Sequence, residues 1–104
     1  MGVMGGGGEV LENGGLRLLV DGCTASRKGH SVKLGAIECR MLETLMRANG
    51  APVSMETLCQ SLWGVSNAMT AARVRGVAKR LRTKLRGVRI ETIVREGYRL
   101  AVEC

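Results

Sequence analysis

Residues 70–86 read TAARVRGVAKRLRTKLR. Within this stretch Val74, Val77, Ala78, Leu81 and Leu85 recur at i, i+3, i+4, i+7 and i+11, the spacing that gathers side chains on one face of a helix. The rest of the wheel divides cleanly at about 100° per residue. Arg75, Lys79, Arg82 and Arg86 take one flank, and Arg73, Arg80 and Lys84 take the other. Between them runs a slim, uncharged strip of Met69, Ala72, Gly76 and Thr83. The spacing therefore predicts an amphipathic helix over 70–86 with two basic rails. Such a helix fits a major groove about 12 Å wide, its rails near the phosphates and its strip near the base edges.

The charge balance points the same way. From Thr57 to Ile90 there are eight basic residues and no acid, while the remainder holds eight basic against nine acidic residues, so the net charge of +7 resides in this one segment. Concentrated charge of one sign implies a polyanionic partner, with nucleic acid ahead of acidic lipid and acidic protein. A merely solvated helix face would interleave Glu with Lys to gain pairing between adjacent turns, and no Glu is present here.

Working back from this helix, Ser54 is suited to cap a short second helix whose Met55, Leu58, Cys59 and Leu62 form an apolar stripe as far as Trp63-Gly64, with Val65 to Met69 as a loop. Ala36 to Asn49 is predicted as a first helix. Arg40, Glu43, Thr44 and Arg47 make its polar side, Ile37, Met41, Leu42 and Leu45 its apolar side, and Gly50 and Pro52 stop it. Ahead of it, short apolar runs are divided by Asn13-Gly14-Gly15, Asp21-Gly22 and Lys28-Gly29, the signature of an antiparallel sheet of three or four strands. Beyond the basic helix, Arg89 to Val94 and Tyr98 to Val102 alternate around Arg95-Glu96-Gly97 and read as a hairpin, with Tyr98, Leu100 and Val102 facing the core and Arg99 and Glu103 facing water. For Tyr98 a core position outweighs base stacking.

Length and composition bound the alternatives. A chain of 104 residues with 45% apolar content forms one domain. Residues 1–8, which include Gly5 to Gly8 in a row, are expected to be a flexible lead to a domain at 9–104. No stretch approaches the roughly 20 apolar residues that cross a bilayer, and the start lacks the pattern of a signal peptide, so the expected location is the cytoplasm, with no membrane partner. Cys23, Cys39, Cys59 and Cys104 are widely spaced and His30 is the single histidine, so no metal site is expected and the thiols are read as structural. No nucleophile and base pair, no paired carboxylates and no cofactor motif are present, which argues against an enzyme.

In this order of elements the chain resembles the DNA-binding effector domain of OmpR/PhoB-type response regulators, an α+β winged helix-turn-helix. The resemblance runs from Leu16 to Val102. It is carried by Val32-Lys33-Leu34 with Glu38, by Pro52-Val53-Ser54 with Leu58 and Leu62-Trp63-Gly64, by Val74 with Leu81-Arg82-Thr83-Lys84-Leu85, and by Ile90, Thr92 and Gly97-Tyr98-Arg99-Leu100. It implies an N-terminal antiparallel sheet, a three-helix bundle and a C-terminal β-hairpin wing. It further implies a recognition helix at about 70–86 in the major groove, a wing at about 90–100 near the minor groove, and a loop at 64–69 that meets RNA polymerase. Carried over by position, Lys79, Arg80 and Arg82 match basic DNA-contacting positions, Thr92 matches the wing threonine, and Arg73 neighbours the family's usual Arg, whose place Ala72 takes. Together with the helix wheel, the expected DNA-binding residues are Arg73, Arg75, Gly76, Lys79, Arg80, Arg82, Thr83, Lys84, Thr92 and Arg95.

The departures matter as well. The family's wing usually runs Thr-Val-Arg-Gly-x-Gly-Tyr, but residues 92–98 read TIVREGY, with Val94 at the Arg position and Arg95 at the first Gly. Gly76 stands where a larger residue is usual, at a helix cost of about 1 kcal/mol relative to Ala. Gly35 replaces the usual Thr, so Glu38 is expected to have no hydroxyl partner for a capping box. No receiver domain precedes the effector region, so the expectation is a stand-alone domain that is not switched by receiver phosphorylation. The leading expectation is a sequence-specific double-stranded DNA-binding transcriptional regulator, acting as a dimer or in tandem on repeated half-sites. The alternative is an adaptor or inhibitor that uses the same scaffold to bind RNA polymerase or another regulator. A nucleoid-type or RNA-binding protein ranks third, because the only aromatics, Trp63 and Tyr98, are expected to be buried.

Overall fold

The computed structural model describes residues 9–86 and 88–101. It begins with four antiparallel strands in simple meander order, β1 (Val10–Asn13), β2 (Leu16–Leu19), β3 (Thr24–Arg27) and β4 (His30–Lys33). Two of the turns are two-residue loops with positive φ at both central positions, Gly14 (52°) with Gly15 (90°) and Lys28 (52°) with Gly29 (83°). Such turns twist in the sense that paired strands require. Leu16, Leu18 and Ala25 face inward and are fully buried, while Arg17 and Leu19 alternate outward, so the sheet covers the helices with one face.

Helix α1 (Ala36–Arg47) buries Cys39, Met41, Leu42, Leu45 and Met46. It ends two residues before the expected Asn49, because Asn49 (φ 52°) and Gly50 (φ 90°) adopt the left-handed backbone that terminates a helix. Helix α2 (Met55–Trp63) starts as expected, with Ser54 Oγ accepting from the Thr57 N–H at 3.0 Å, and stops at Gly64 with φ 76°.

The third helix, α3, spans Ala68–Lys84, so its expected bounds of 70–86 need correction at both ends. Asn67 Oδ1 accepts from the Thr70 N–H at 2.9 Å and Thr70 Oγ1 accepts from the Asn67 N–H at 2.9 Å, a reciprocal cap that turns Ala68 and Met69 from loop into helix. Leu85 leaves the helical backbone at the other end (φ −107°, ψ 70°) to bury its side chain, which places Arg86 beyond the helix.

The wing is β5 (Arg89–Ile93) paired with β6 (Gly97–Ala101), Thr92 opposite Tyr98 and Ile93 opposite Gly97. Ile90, Tyr98 and Leu100 are buried, as the alternation predicts, while Val102 and Glu103 lie outside the described residues. Docking of the wing is reciprocal: the Val53 N–H donates to the Tyr98 carbonyl at 2.7 Å, and the Tyr98 N–H donates to the Val53 carbonyl at 3.0 Å. Gly97 permits this approach. It has φ 131°, and a Cβ there would stand 2.0 Å from the Val53 carbonyl oxygen. Sheet, three helices and hairpin therefore share one core, and the architecture is the winged helix-turn-helix. Among the described residues no helix is long and apolar enough to cross a membrane.

Candidate nucleic-acid interface

Helix α3 turns Val74, Val77, Ala78 and Leu81 into the core and leaves its two flanks and outer strip toward solvent. Met69, Ala72 and Thr83 of the strip are exposed and Gly76 is half-buried, with open space where a Cβ would stand. The Thr83 hydroxyl donates to the Lys79 carbonyl at 3.1 Å and so folds back on the helix.

The flanks are not two uniform rails. Arg82 reaches the wing, with its Nε donating to the Ile90 carbonyl at 2.8 Å and a terminal nitrogen donating to Thr92 Oγ1 at 3.1 Å. Its guanidinium also lies 5.8 Å from the centre of the Tyr98 ring, within range of a cation–π attraction. Arg82, Thr92 and Tyr98 thus clasp recognition helix and wing together. Tyr98 itself is a core residue, 5% exposed.

On the opposite flank Lys84 Nζ lies 2.7 Å from Glu38 Oε1, and Arg80 Nε lies 3.2 Å from Glu38 Oε2. Glu38 is buried in the first turn of α1 and also accepts from the Gly35 N–H at 3.0 Å. Half of a capping box therefore survives the loss of the usual Thr: glycine has no hydroxyl to offer, yet the carboxylate still closes its side of the exchange. Burial pushes the Glu38 carboxyl up, but the hydrogen bonds from Lys84 and Gly35 and the charges of Lys84 and Arg80 outweigh it and hold the group below the usual carboxylate range. Arg80 remains largely exposed, so its far nitrogens are available to a second partner.

Arg73 lies over the half-buried Trp63, 5.9 Å from the ring centre. Arg75, Lys79 and Arg86 are exposed and have no ion-pair or side-chain hydrogen-bond partner among the described residues. Arg75 lines a groove with the wing tip, facing Thr92, Val94 and Arg95. At that tip Val94 is 80% exposed and Arg95 adopts φ 66°. A left-handed backbone suits the glycine found there in the resembled family and strains an arginine by about 1 kcal/mol. Lower in the wing, Arg99 Nε pairs with Glu91 Oε1 across the strands at 2.8 Å, and Glu91 Oε2 also lies 3.9 Å from a terminal nitrogen of Arg89.

The structure thus brings Arg75, Thr92 and Arg95 to one groove at the wing, leaves Lys79 and Thr83 exposed on α3, and ties Arg80, Arg82 and Lys84 into the fold. Sequence reasoning missed Glu38 as an organiser. Its partners lie more than 40 positions away in the chain, and the one local signal was the i, i+4 spacing of Arg80 and Lys84, which suits a shared acid. The Asn67–Thr70 cap was missed because Thr, rather than Glu or Gln, holds the third position.

The fold recurs in known proteins. A family model described as "Transcriptional regulatory protein, C terminal" matches residues 29–100. The transcriptional regulatory protein CutR of Streptomyces coelicolor is 36% identical over 92 residues, 88% of this chain and 42% of CutR. CseB of the same organism is 34% identical over 93 residues, 89% of this chain and 40% of CseB. The chain accordingly spans less than half the length of these relatives. Among solved structures, the DNA-binding domain of CpxR from E. coli superposes with a TM-score of 0.80 at 25% identity, covering 92% of this chain and 99% of that one. The Klebsiella pneumoniae RstA DNA-binding domain, solved in complex with the RstA box, gives 0.79 at 26% identity, covering 89% and 97%. With its winged helix, its exposed basic α3 and these matches, the chain belongs to the family of C-terminal domains of transcriptional regulatory proteins, of the OmpR/PhoB type.

Proposed function

We propose that this chain binds double-stranded DNA in a sequence-specific manner and regulates transcription, acting by binding rather than by catalysis. The observation that carries this reading is the exposed outer face of α3, where Arg75 and Lys79, unpaired among the described residues, run along one side of an uncharged strip narrow enough to approach base edges. The helix would lie in the major groove with Arg73, Arg75 and Lys79 on phosphates and Arg80, through its free nitrogens, on a base. The wing would follow the adjacent minor groove, where Arg95 offers the guanidinium that position 94 lacks. Repeated half-sites about one helical turn apart would seat two copies. The cytoplasm is the compartment such a role requires.

Selection of random duplexes by the purified chain tests the reading. A common motif should emerge, bound with a steep negative slope of log affinity against log salt. Equal affinity for all sequences, or no binding, would overturn it. The strain at residue 95 gives a sharper version. Arg95→Gly should raise the melting temperature by relieving the left-handed backbone and yet weaken specific binding.

A second reading rests on an exposed apolar patch. Val65 (48% exposed) and Met69 (64%) project beside Trp63 at the α2–α3 connection. This patch suits a protein partner, RNA polymerase by family resemblance, whether alongside DNA binding or in place of it. Val65→Ser should then abolish retention of polymerase while leaving DNA affinity unchanged.

A further inference from the structure

Between the β3–β4 hairpin and the end of α3 lies a cavity of about 390 Å³ that the DNA-facing side does not use. Its floor is apolar, built from Ala25, Leu85 and Val88, all buried. Its rim is basic, with Arg27, Lys28 and His30 from the hairpin and Lys84 and Arg86 from the other wall. Among the described residues no carboxylate lines it. Lys84 is already engaged by Glu38, but the Nε of Arg27 is buried with no hydrogen-bond partner among the described residues. A buried N–H left without an acceptor is unfavourable, and a small turn of the Arg27 guanidinium toward the cavity would let an entering oxyanion relieve it.

We propose that this cavity binds an organic phosphate monoester of nucleotide size. The volume falls within the range of small-ligand pockets, about 300–1,000 Å³, and leaves room for a flat apolar body beside the charged group. Several cations around one site favour a dianion over a single carboxylate. The phosphate seats on the hairpin side, at Arg27 and Lys28. The carbonyls that end α3 carry partial negative charge and repel an anion from the Leu85 side, where the apolar body rests instead. Lys28 contributes from the first turn position at φ 52°, where glycine or asparagine would be easier, so an aminobutyl arm is kept at the rim against backbone preference. Arg86, which follows α3, lines this rim and is also exposed, so an occupied cavity withdraws one cation from DNA.

Calorimetric titration with the four nucleoside 5′-monophosphates tests this, with adenosine and inorganic phosphate as the two half-ligands. At least one monophosphate should bind with one-to-one stoichiometry, adenosine should not bind, and inorganic phosphate should bind at least about tenfold more weakly. Arg27→Gln should weaken the monophosphate about tenfold or more, as expected for loss of a charge-assisted pair. Because Arg27 is half-buried, Lys28→Gln on the exposed turn provides the second reading and should weaken it severalfold. Arg75→Gln, on the wing groove, should leave nucleotide binding unchanged while weakening duplex DNA. Binding of none of the monophosphates overturns the proposal. So does equal weakening by Arg75→Gln, which would mean a diffuse basic surface. If Arg27→Gln and Lys28→Gln spare the nucleotide and weaken duplex DNA instead, the seat belongs to a backbone phosphodiester and the proposal fails.

Discussion

In the C-terminal half of α3, Arg80 and Lys84 reach back to Glu38 of α1 and Arg82 reaches across to Ile90 and Thr92 of the wing. In the preceding turns Arg75 and Lys79 reach no polar partner among the described residues, and Arg73 only rests on Trp63. Composition alone treats these cations as equivalent, yet their tasks differ. The later ones fix where the helix sits between the first helix and the wing, with Arg80 keeping its far nitrogens for a ligand as well, and the earlier ones are left for a ligand alone. This division suits a helix that is held in place by some of its cations and presents the others to a polyanion.

The strongest way to break the comparison is to undock the wing. Gly97→Ala places a methyl carbon on the Val53 carbonyl and should cost on the order of 3 kcal/mol or more, a fall in melting temperature of more than about 10 °C. A variant that melts with the parent would show that the wing does not depend on this approach. Next in size, Glu38→Gln should cost about 1–2 kcal/mol at neutral pH, given that its partners are partly exposed. The folded carboxyl is held below its usual range, so its contribution is present above the unfolded pKa and is lost as pH falls through the folded one. The gap between parent and variant in melting temperature should therefore close as the solution is acidified below about pH 4. The same change frees Arg80 and Lys84 and should steepen the salt dependence of DNA binding.

Gly76→Ala should stabilise the helix by about 1 kcal/mol, since a methyl there meets open space. A loss of stability would place something against that strip. The smallest effect on folding is expected at Lys79→Gln, within about 0.5 kcal/mol, while its slope of log affinity against log salt flattens by about one unit. Arg82→Gln should lose stability and affinity together. If Lys79 and Arg82 behave alike, the tied and the untied cations do not differ.

Most of the fold was legible because its signals are local. Apolar periodicity placed all three helices, glycine pairs placed the turns of the sheet, and alternation placed Tyr98 and Leu100 in the core. Helix ends were less legible, as Asn67 and Leu85 illustrate. A cap depends on which side-chain oxygen reaches which backbone N–H, and composition does not reveal that. For the site, the sequence located the basic helix and its faces. It could not reveal that an acid far off in the chain neutralises part of one flank, because pairing between α1 and α3 exists only once the bundle has formed.

The reciprocal bonds between Val53 and Tyr98 make the segment that leads into α2 a third, one-residue partner to the two strands of the wing. Those two amides can lose protection from hydrogen exchange only when the wing lifts away, so their exchange rates should agree and should report a single opening event. That opening takes Tyr98 from beneath Arg82 and releases the constraint one residue before the cap of α2. A ligand that holds the wing would slow exchange at Val53, in a segment that need not touch the ligand at all.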